Sequence, residues 1–380
     1  MEKKRRFGIV SYNMYCNFTN YGSALQTYAL HRKVNEIAPN QIKAIVVDYC
    51  PDILADKDIL NPIKNMWDAD KESIRMCELS MPAIRINNEK FNEFYRKYYT
   101  ISERKYTSEN FEMSLANENL DGYICGSDTI WCTLEFKGFE DGYFGNYDVM
   151  KNSKTISYAA SFGDAVFENE DLDILRNRLK NFKAISVRES TNIELIKENV
   201  DVLVKRVLDP TLLFTKNEYE VITEKRLIKE PYILLYARRY NKAMEEYADK
   251  LATEMNCKVV EISLRAANAN KHIMYYEAGV EEFLSLVKNA EYVVTNSFHG
   301  VIFSIIMNRQ FSVFSREQAD TKIDELLYNL NLSERKMITG KEQIDKKIDF
   351  KKVDEILEEK RKESISYLIE ALEIVEEKNE

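Results

Sequence analysis

The chain has 380 residues and a formal net charge of −9, with 45% hydrophobic and 11% aromatic residues. This length exceeds what a single core usually accommodates, so the composition predicts two domains with sizeable interiors. The negative charge argues against nucleic acid as the main partner, because contact with phosphates requires a positively charged face.

The cysteines and the hydropathy of the chain indicate the cellular compartment to expect. The six cysteines are scattered and contain no C-x-x-C pair, which argues against a paired-cysteine metal site. The basic N-terminus precedes an apolar run at 7–12 that is too short for a signal peptide. No stretch approaches the length needed to cross a bilayer. We therefore expect a cytoplasmic protein with reduced thiols, no transmembrane segment and no metal.

The first part of the chain alternates strand and helix patterns. The apolar runs Phe7–Tyr12 and Ile42–Tyr49 predict strands, and the segment from Gly22 to Ile37 between them predicts a helix. Residues 52–118 are charged, rich in Tyr and Phe, and mostly helical in pattern, so we interpret them as a helical insertion. The next predicted strands are Gly122–Cys125, Thr155–Ala160, Ala184–Val187 and Val202–Leu208.

A second alternating unit follows a lysine-rich stretch, 216–229, which we interpret as an interdomain connection. Its predicted strands are Tyr232–Ala237, Lys258–Ser263, Tyr292–Thr295 and Phe311–Phe314, and its predicted helices lie at 241–255, at 280–289, from Gly300 and from Thr321. The last residues carry an apolar stripe on one side of a charged helix.

These patterns predict the domain organisation. We expect an N-terminal domain over 1–220, a C-terminal domain over 221–340 and an amphipathic helix over 341–380. Alternating strands and helices imply parallel sheets with right-handed crossovers. The predicted fold class is α/β, with two Rossmann-like doubly wound domains facing a cleft.

Residues 292–300, Tyr-Val-Val-Thr-Asn-Ser-Phe-His-Gly, are the most informative segment. A short apolar strand ends in a polar loop with a histidine, and apolar residues then recur at helical spacing. Open α/β folds bind ligands at such a junction, where the free N–H groups at the start of a helix attract anions. The other interpretation is a polar cap on a core helix.

Other motifs precede this segment, and their order and spacing are informative together. They are Asn20–Gln26, Tyr123–Asp128 followed by Trp131, Ser157–Gly163, Ile185–Glu189, Leu208–Leu213 and Glu281–Phe283. With the Ser-Phe-His-Gly loop, the chain resembles the polysaccharide pyruvyl transferase family from about Phe7 to Leu330.

The resemblance implies a GT-B-like arrangement, in which a terminal helix packs back toward the first domain. It also implies transfer of pyruvate from phosphoenolpyruvate to a sugar of a cell-surface polysaccharide precursor, lipid- or nucleotide-linked, as a cyclic ketal with release of phosphate. The insertion at 52–118 could shape the acceptor site. Such a site needs cations for phosphate and carboxylate, a general acid for carbon and a base for the hydroxyls. Phosphoenolpyruvate is then a substrate, and no cofactor is required.

His299 is the first candidate for proton transfer or phosphate contact, because histidine titrates near neutrality. Of the three histidines, His31 is expected on the surface beside Arg32 and Lys33, and His272 lies in a polar loop. Ser297 and Gly300 are expected to bind substrate beside His299.

The resemblance also exposes a departure from the family pattern. Many relatives carry Ser-x-Arg-x-His in this loop, and here Ser297 stands at the arginine position. We expect Arg188, at the end of a predicted strand, to supply the missing cation, since its guanidinium suits bidentate anion binding. The alternative is an ion pair with Glu189 or another nearby carboxylate. In the second domain Arg238, Arg239 and Arg265 follow predicted strands, and the sequence leaves open which of them faces the ligand.

Two further groups complete the predicted site. Asp128 follows a strand and could activate an acceptor hydroxyl, although an aspartate in a turn often serves local structure alone. Asn20, Tyr21 and Gly22 open the first helix, where Gly22 would admit a ligand close to the backbone and Tyr21 offers a face to a sugar ring. Trp131 is either a sugar platform or a core residue.

Two alternative functions remain open. The same architecture would suit a glycosyltransferase that uses a sugar nucleotide, and the absent loop arginine favours it. A non-catalytic carbohydrate-binding protein is the third possibility, and the presence of His299, Arg188 and Asp128 argues against it. The acceptor sugar, its linkage and the oligomeric state are not encoded in any pattern that we find.

Overall fold

Two separate parallel sheets organise the chain. The computed structural model describes residues 3–61, 71–168, 170–239, 241–263, 266–315, 320–342, 344 and 346–375. The first sheet has seven strands, in the order β3-β2-β1-β4-β5-β6-β7. These strands are β1 Arg5–Val10, β2 Ile42–Tyr49, β3 Ile101–Tyr106, β4 Gly122–Cys125, β5 Lys154–Ser157, β6 Ala184–Val187 and β7 Leu203–Arg206.

The helices of the first part precede or follow these strands in the chain. The longest are α1 and α3, and most of the others are short. They are α1 Tyr21–Ile37, α2 Asp52–Ala55, α3 Lys71–Tyr98, α4 Ser114–Glu118, α5 Thr133–Phe136, α6 Asp148–Lys151, α7 Glu170–Leu179, α8 Ile193–Lys197 and α9 Lys216–Glu220.

The second sheet has six parallel strands, in the order β10-β9-β8-β11-β12-β13. These strands are β8 Tyr232–Tyr236, β9 Lys258–Ile262, β10 Ile273–Met274, β11 Tyr292–Thr295, β12 Phe311–Phe314 and β13 Lys336–Met337. The helices are α10 Lys242–Glu254, α11 Val280–Asn289, α12 Phe298–Ile306, α13 Asp320–Asn329 and α14 Phe350–Ala371.

The two sheets share one strand order. Each reads third, second, first, fourth, fifth, sixth strand of its own domain, and the first sheet adds β7 at its edge. This is the doubly wound order, so each sheet has a switch point where ligands bind: between β1 and β4, and between β8 and β11. The predicted fold class, α/β with two Rossmann-like doubly wound domains, is confirmed.

The strands form where the sequence carries short, continuous apolar runs. All residues of β4, β6, β8 and β12 are buried, as expected for parallel strands covered on both faces. Every residue of α12 is buried as well, because its apolar side chains surround the helix instead of lining one stripe.

A shared apolar core joins the two domains. One cluster of buried side chains includes Ile9 of β1 and Leu25 of α1 together with Val293 of β11 and Ile302 of α12. The segment 207–231 lies between β7 and β8 and contains α9, whose start is stabilised by a capping box at Thr215. Packing through a common core fixes the switch points of the two sheets against each other.

Helix α14 returns to the first domain. Arg361 donates from Nε to the carbonyl oxygen of Leu212 at 2.7 Å, and the Tyr367 hydroxyl donates to the carbonyl oxygen of Ser157 at 2.7 Å. The Leu208 N–H donates to Ser364 Oγ at 3.0 Å. These contacts reach β5 and the segment after β7.

The segment 52–118 contains helices and one element that the sequence pattern did not predict. The strand β3 lies at the edge of the first sheet, because its register with β2 extends that sheet by one strand. Helix α3 contacts the second domain, where the amide of Asn87 donates to the carbonyl oxygen of Ala278 at 2.6 Å. Lys90 forms an ion pair with Glu282 at 2.6 Å.

Other differences concern single elements. The predicted surface position of His31 is wrong: the side chain is buried between α1 and the first sheet, and burial lowers its pKa to about 4. Helix α12 begins at Phe298, so His299 lies in the first turn of the helix and not in the preceding loop. No helix in the described ranges combines the length and apolarity that a membrane crossing requires.

Candidate functional site

The switch points of the two sheets meet at His299. A Cβ added to Gly22, in the first turn of α1, would lie 1.9 Å from His299 Nδ1. The absence of a side chain at Gly22 therefore admits the imidazole of the second domain. Gly22 was expected to admit a ligand close to the backbone, and the group that it admits in the structure is His299.

Arg188 follows β6 and is surrounded by carboxylates. Its Nε donates to Glu189 Oε1 at 2.8 Å and its Nη1 donates to Asp209 Oδ2 at 2.8 Å. Nη1 also lies 3.8 Å from Asp128 Oδ1. The ion pair with Glu189 that the sequence left open is thus formed. Nη2 is buried and has no hydrogen-bond partner among the described residues, so it is the one group of Arg188 that remains available to a ligand.

Asp209 connects Arg188 with His299. Its Oδ2 accepts from Arg188 and lies 3.5 Å from His299 Nε2, and its Oδ1 accepts from the N–H and the hydroxyl of Thr211. Burial alone would raise the pKa of this carboxyl, but the charges of His299 and Arg188 hold it well below its usual range. Asp209 lies in the Leu208–Leu213 motif but was not predicted as a site residue. An Asp-Pro pair is also common where the chain simply turns.

Asp128 lies between the two domains at the end of β4. Its Oδ2 accepts from the Ser23 hydroxyl at 3.0 Å, and its Oδ1 accepts from the N–H of Thr129 at 3.0 Å. Burial raises its pKa, but the charges of Arg188, His299 and Lys322 outweigh burial and lower it. The aspartate therefore forms the local turn contact and also presents an ionised carboxylate to the cluster.

Glu135 is a carboxyl that the sequence analysis missed. The Thr129 hydroxyl donates to Glu135 Oε2 at 2.6 Å, so Thr129 connects the Asp128 and Glu135 side chains. Burial raises the pKa of Glu135, with a smaller contribution from the charge of Asp128. Two neighbouring carboxyls thus have pKa values displaced in opposite directions, which is the arrangement expected of an acid and a base. The four-residue α5 has no periodicity that could have identified Glu135.

Ser297, Gly300 and Asn20 occupy the two helix starts. Ser297 Oγ accepts from the Gly300 N–H at 3.2 Å as the N-cap of α12, and Asn20 Oδ1 accepts from the Gly22 N–H at 3.0 Å as the N-cap of α1. A Cβ on Gly300 would lie 2.4 Å from Thr295 Oγ1, so close packing requires glycine there. Each residue thus has a structural role at the site, and substrate contact stays a prediction for all three.

The two aromatic candidates lie in apolar surroundings. Tyr21 is buried, its ring stacks on Phe283 with centroids 4.5 Å apart, and its hydroxyl donates to the carbonyl oxygen of Ala278. The expected sugar-stacking face is therefore covered by the second domain. Trp131 is fully buried, its ring stacks on Phe144, and its indole N–H donates to the carbonyl oxygen of Tyr143. Of the two interpretations, these contacts identify Trp131 as a core residue.

The basic residues of the second domain lie at the edge of the cleft. Arg238 is exposed, and its Nη1 donates to the carbonyl oxygen of Thr19 in the first domain at 3.3 Å. Asn296 holds this loop, accepting from the Arg238 N–H and donating to the Arg239 carbonyl oxygen, both at 2.8 Å. Arg265 lies outside the described residues.

A cavity of about 270 Å³ opens between the domains next to Arg188 and Phe298. Both Arg188 and Lys322 lie over the Phe298 ring, at 4.6 Å and 5.4 Å from its centroid. Lys322, near the start of α13, is a cation that the sequence analysis missed, because a single lysine in an amphipathic helix usually faces solvent. Its charge contributes to the lowered pKa of Asp128 and partly opposes the rise in the pKa of Glu135.

Two other charged residues that line the cavity, Arg206 and Glu325, are paired with each other. Arg206 forms an ion pair with Glu325 at 2.7 Å. Within the part of the chain that the structure describes, no three His, Cys, Asp or Glu side chains are grouped so as to hold a metal ion.

Solved structures of other proteins are similar to this chain over most of its length. A Listeria monocytogenes protein described as a UDP-N-acetylglucosamine 2-epimerase is 12% identical, with 97% of this chain and 91% of that chain covered and a TM-score of 0.49. A UDP-GlcNAc 2-epimerase from Methanocaldococcus jannaschii is 11% identical, with 93% and 92% covered and a TM-score of 0.46. The Escherichia coli ADP-heptose heptosyltransferase II is 10% identical, with 93% and 99% covered and a TM-score of 0.38.

Sequence identities and TM-scores this low give no information about the substrates of this chain. No curated protein sequence matches this chain significantly. The family model described as polysaccharide pyruvyl transferase matches residues 20–318, from the N-cap of α1 past the end of β12. That range contains Gly22, Asp128, Arg188, Asp209 and His299, which the fold brings together from both domains. The chain belongs to the polysaccharide pyruvyl transferase family.

Proposed function

We propose that this protein transfers the pyruvyl group of phosphoenolpyruvate to two hydroxyls of one sugar in a cell-surface polysaccharide precursor, lipid- or nucleotide-linked. The product is a cyclic ketal, and inorganic phosphate is released. The observation that carries the proposal is the cluster at the meeting switch points, where His299 lies beside Asp209 and Arg188 and close to the carboxyl pair joined by Thr129.

Donor binding is assigned to the cavity beside Phe298. Arg188 Nη2 is buried without a partner among the described residues, and Lys322 approaches the same ring from the second domain. A donor that carries both a phosphate and a carboxylate suits two cations from opposite sides of the cleft, because charged hydrogen bonds are the strong ones. Lys322 then supplies the positive charge that the 295–300 loop lacks.

The chemistry requires proton transfers that the cluster can perform. In the first addition, one sugar oxygen bonds to C2 of the donor and a proton is added to C3, which breaks the double bond. The second sugar oxygen then bonds to C2 as the bond to the phosphate oxygen breaks, and the phosphate departs with the electron pair. Each sugar hydroxyl loses one proton: one proton ends on C3, which becomes a methyl group, and the other ends on the released phosphate.

We assign proton-transfer roles by charge state. Asp128, whose pKa is lowered, is assigned as the base for an acceptor hydroxyl, and Glu135, whose pKa is raised, is assigned as the acid of the pair. His299 is assigned to phosphate contact or to proton transfer. Helix α3 and the exposed Arg238 border the cleft, where the acceptor would enter.

Direct assay with defined substrates tests the proposal. Purified protein is incubated with phosphoenolpyruvate and a panel of lipid- and nucleotide-linked saccharides, and phosphate release and pyruvylated product are measured together. Phosphoenolpyruvate should raise the melting temperature, since a ligand that binds only the native state stabilises it. Stabilisation by a sugar nucleotide, with glycosylated product and no response to phosphoenolpyruvate, would establish a glycosyltransferase instead. Binding of saccharides without turnover of any donor would indicate a carbohydrate-binding protein.

A further inference from the structure

We infer that Asp209 is a positioning residue that orients the catalytic imidazole of the opposite domain. This inference rests on the proposed function, since it concerns the same site. Asp209 belongs to the segment after β7 in the first domain, whereas His299 belongs to α12 of the second. The carboxylate therefore completes the histidine only while the two domains are packed together.

The two carboxylate oxygens of Asp209 contact different groups. Oδ1 accepts from the Thr211 N–H at 3.0 Å and from the Thr211 hydroxyl at 2.6 Å, which caps the short 3₁₀ turn Pro210–Leu213. Oδ2 takes no part in that cap. It accepts from Arg188 Nη1 at 2.8 Å and lies 3.5 Å from His299 Nε2. The cap accounts for Oδ1 only, and Oδ2 faces both Arg188 of its own domain and His299 of the other domain.

The surroundings of His299 leave Asp209 as the partner of Nε2. That nitrogen is buried and has no hydrogen-bond partner within the described ranges, and at 3.5 Å the carboxylate of Asp209 faces it as an ion pair when the ring is protonated. The opposite ring nitrogen, Nδ1, packs against Gly22. The ring is thus held from both sides, by a charge and by the α1 backbone.

The electrostatic consequence follows from the attraction of opposite charges. The Asp209 carboxylate lies 3.5 Å from His299 Nε2, so its negative charge attracts a positive charge on the imidazole. Asp128 also interacts with the charge of His299, and Arg188 donates to the same oxygen of Asp209 that faces the ring. Of the other charged groups, Glu189 pairs with Arg188 and Lys322 lies over the Phe298 ring. Asp209 is the nearest carboxylate, so its removal should have the largest effect on His299.

The test is Asp209→Asn, which keeps the volume and an oxygen for the Thr211 cap but removes the charge. We expect kcat to fall on the order of 10²-fold, while KM for phosphoenolpyruvate changes much less, because Arg188 keeps Glu189. The alkaline limb of the pH–rate profile should move to lower pH by about one unit or more. The matched control is Thr211→Val, which weakens the cap without touching Oδ2 and should leave the profile in place.

A second readout does not depend on turnover. The chain has three histidines, so the imidazole signals in an NMR titration can be assigned with variants of His31 and His272. In Asp209→Asn the His299 ring should release its proton at lower pH than in the unmodified protein. If both the titration and the pH profile are unchanged while stability falls, Asp209 is a cap only and the inference is wrong. If the titration shifts but phosphoenolpyruvate is not turned over by the unmodified protein, the positioning role stands and the proposed function fails.

Discussion

Gly22 in the first domain packs against the His299 imidazole of the second domain. The first turn of α1 lies so near the imidazole that a Cβ on Gly22 would come 1.9 Å from Nδ1. The size of the residue at position 22 and the position of the ring at residue 299 therefore depend on each other. A larger residue at position 22 cannot be accommodated unless the imidazole or the other domain moves.

Gly22→Ala should displace the His299 ring or separate the two helix starts. We expect a loss of stability of about 1–3 kcal/mol, the usual cost of overpacking, together with a large loss of activity. Urea denaturation measures the first effect. The control is the same substitution in a His299→Ala background, where the clash is gone and the stability cost should largely disappear. An equal cost in both backgrounds would show that the helix start rejects alanine for another reason.

His299→Asn should fold normally and lose on the order of 10²–10⁴ in turnover, the usual span for a positioned proton-transfer group. The backbone of α12 is capped by Ser297, not by His299, so the helix start should survive. Phosphate release and pyruvylated product are measured with a confirmed acceptor, and circular dichroism checks the fold. Near-native turnover of the folded variant would make the histidine structural.

Arg188→Ala should act on stability as strongly as on binding. The guanidinium pairs with Glu189 and Asp209 and lies near Asp128, all within the interdomain cluster. Removing it leaves buried carboxylates without their partner, which typically costs 3–5 kcal/mol. Chemical denaturation at pH 7 measures this cost, and Arg176→Ala, which removes an exposed i,i+3 ion pair, is the control. A variant as stable as the parent would contradict the structural part of the role.

Lys322→Ala is the cleaner test of donor binding, because the lysine is only partly buried. Affinity for phosphoenolpyruvate should fall by roughly 1.5–3 kcal/mol, the range for a hydrogen bond to a charged group, and Lys322→Arg should restore much of it. Calorimetric titration gives the affinities, with Lys351→Ala on the exposed side of α14 as the control. Unchanged affinity in Lys322→Ala would exclude the residue from the donor site.

Glu135→Gln should change how stability depends on pH. Burial raises the pKa of Glu135 in the folded protein, so its favourable contribution is present below the unfolded value of about 4.3 and is lost as the pH rises through the folded pKa. Glutamine stays neutral, so the variant should gain stability relative to the parent between pH 4 and pH 8. Melting temperatures across that range, with the exposed Glu194→Gln as control, provide the comparison. A constant difference would mean that Glu135 titrates as it does in the unfolded chain.

Much of the fold was predictable from local patterns. The strands Ile42–Tyr49, Ala184–Val187 and Phe311–Phe314 coincide with their apolar runs, because buried parallel strands need continuous apolar residues. The strand β3 was not predicted, since an edge strand with charged residues has no such run. His31 was misplaced because the sequence shows its charged neighbours but not the sheet against which the helix packs.

The sequence by itself determined the two-domain α/β architecture, the family and most of the candidate residues, because strand ends, glycines and a rare histidine are local features. Only the tertiary structure decided that Tyr21 is covered by Phe283, that Arg188 is held by acidic side chains, and that Asp209, Glu135 and Lys322 join the site. These residues are tens to hundreds of positions apart in the chain. Their proximity depends on the packing of two sheets through a shared core, which no local pattern encodes.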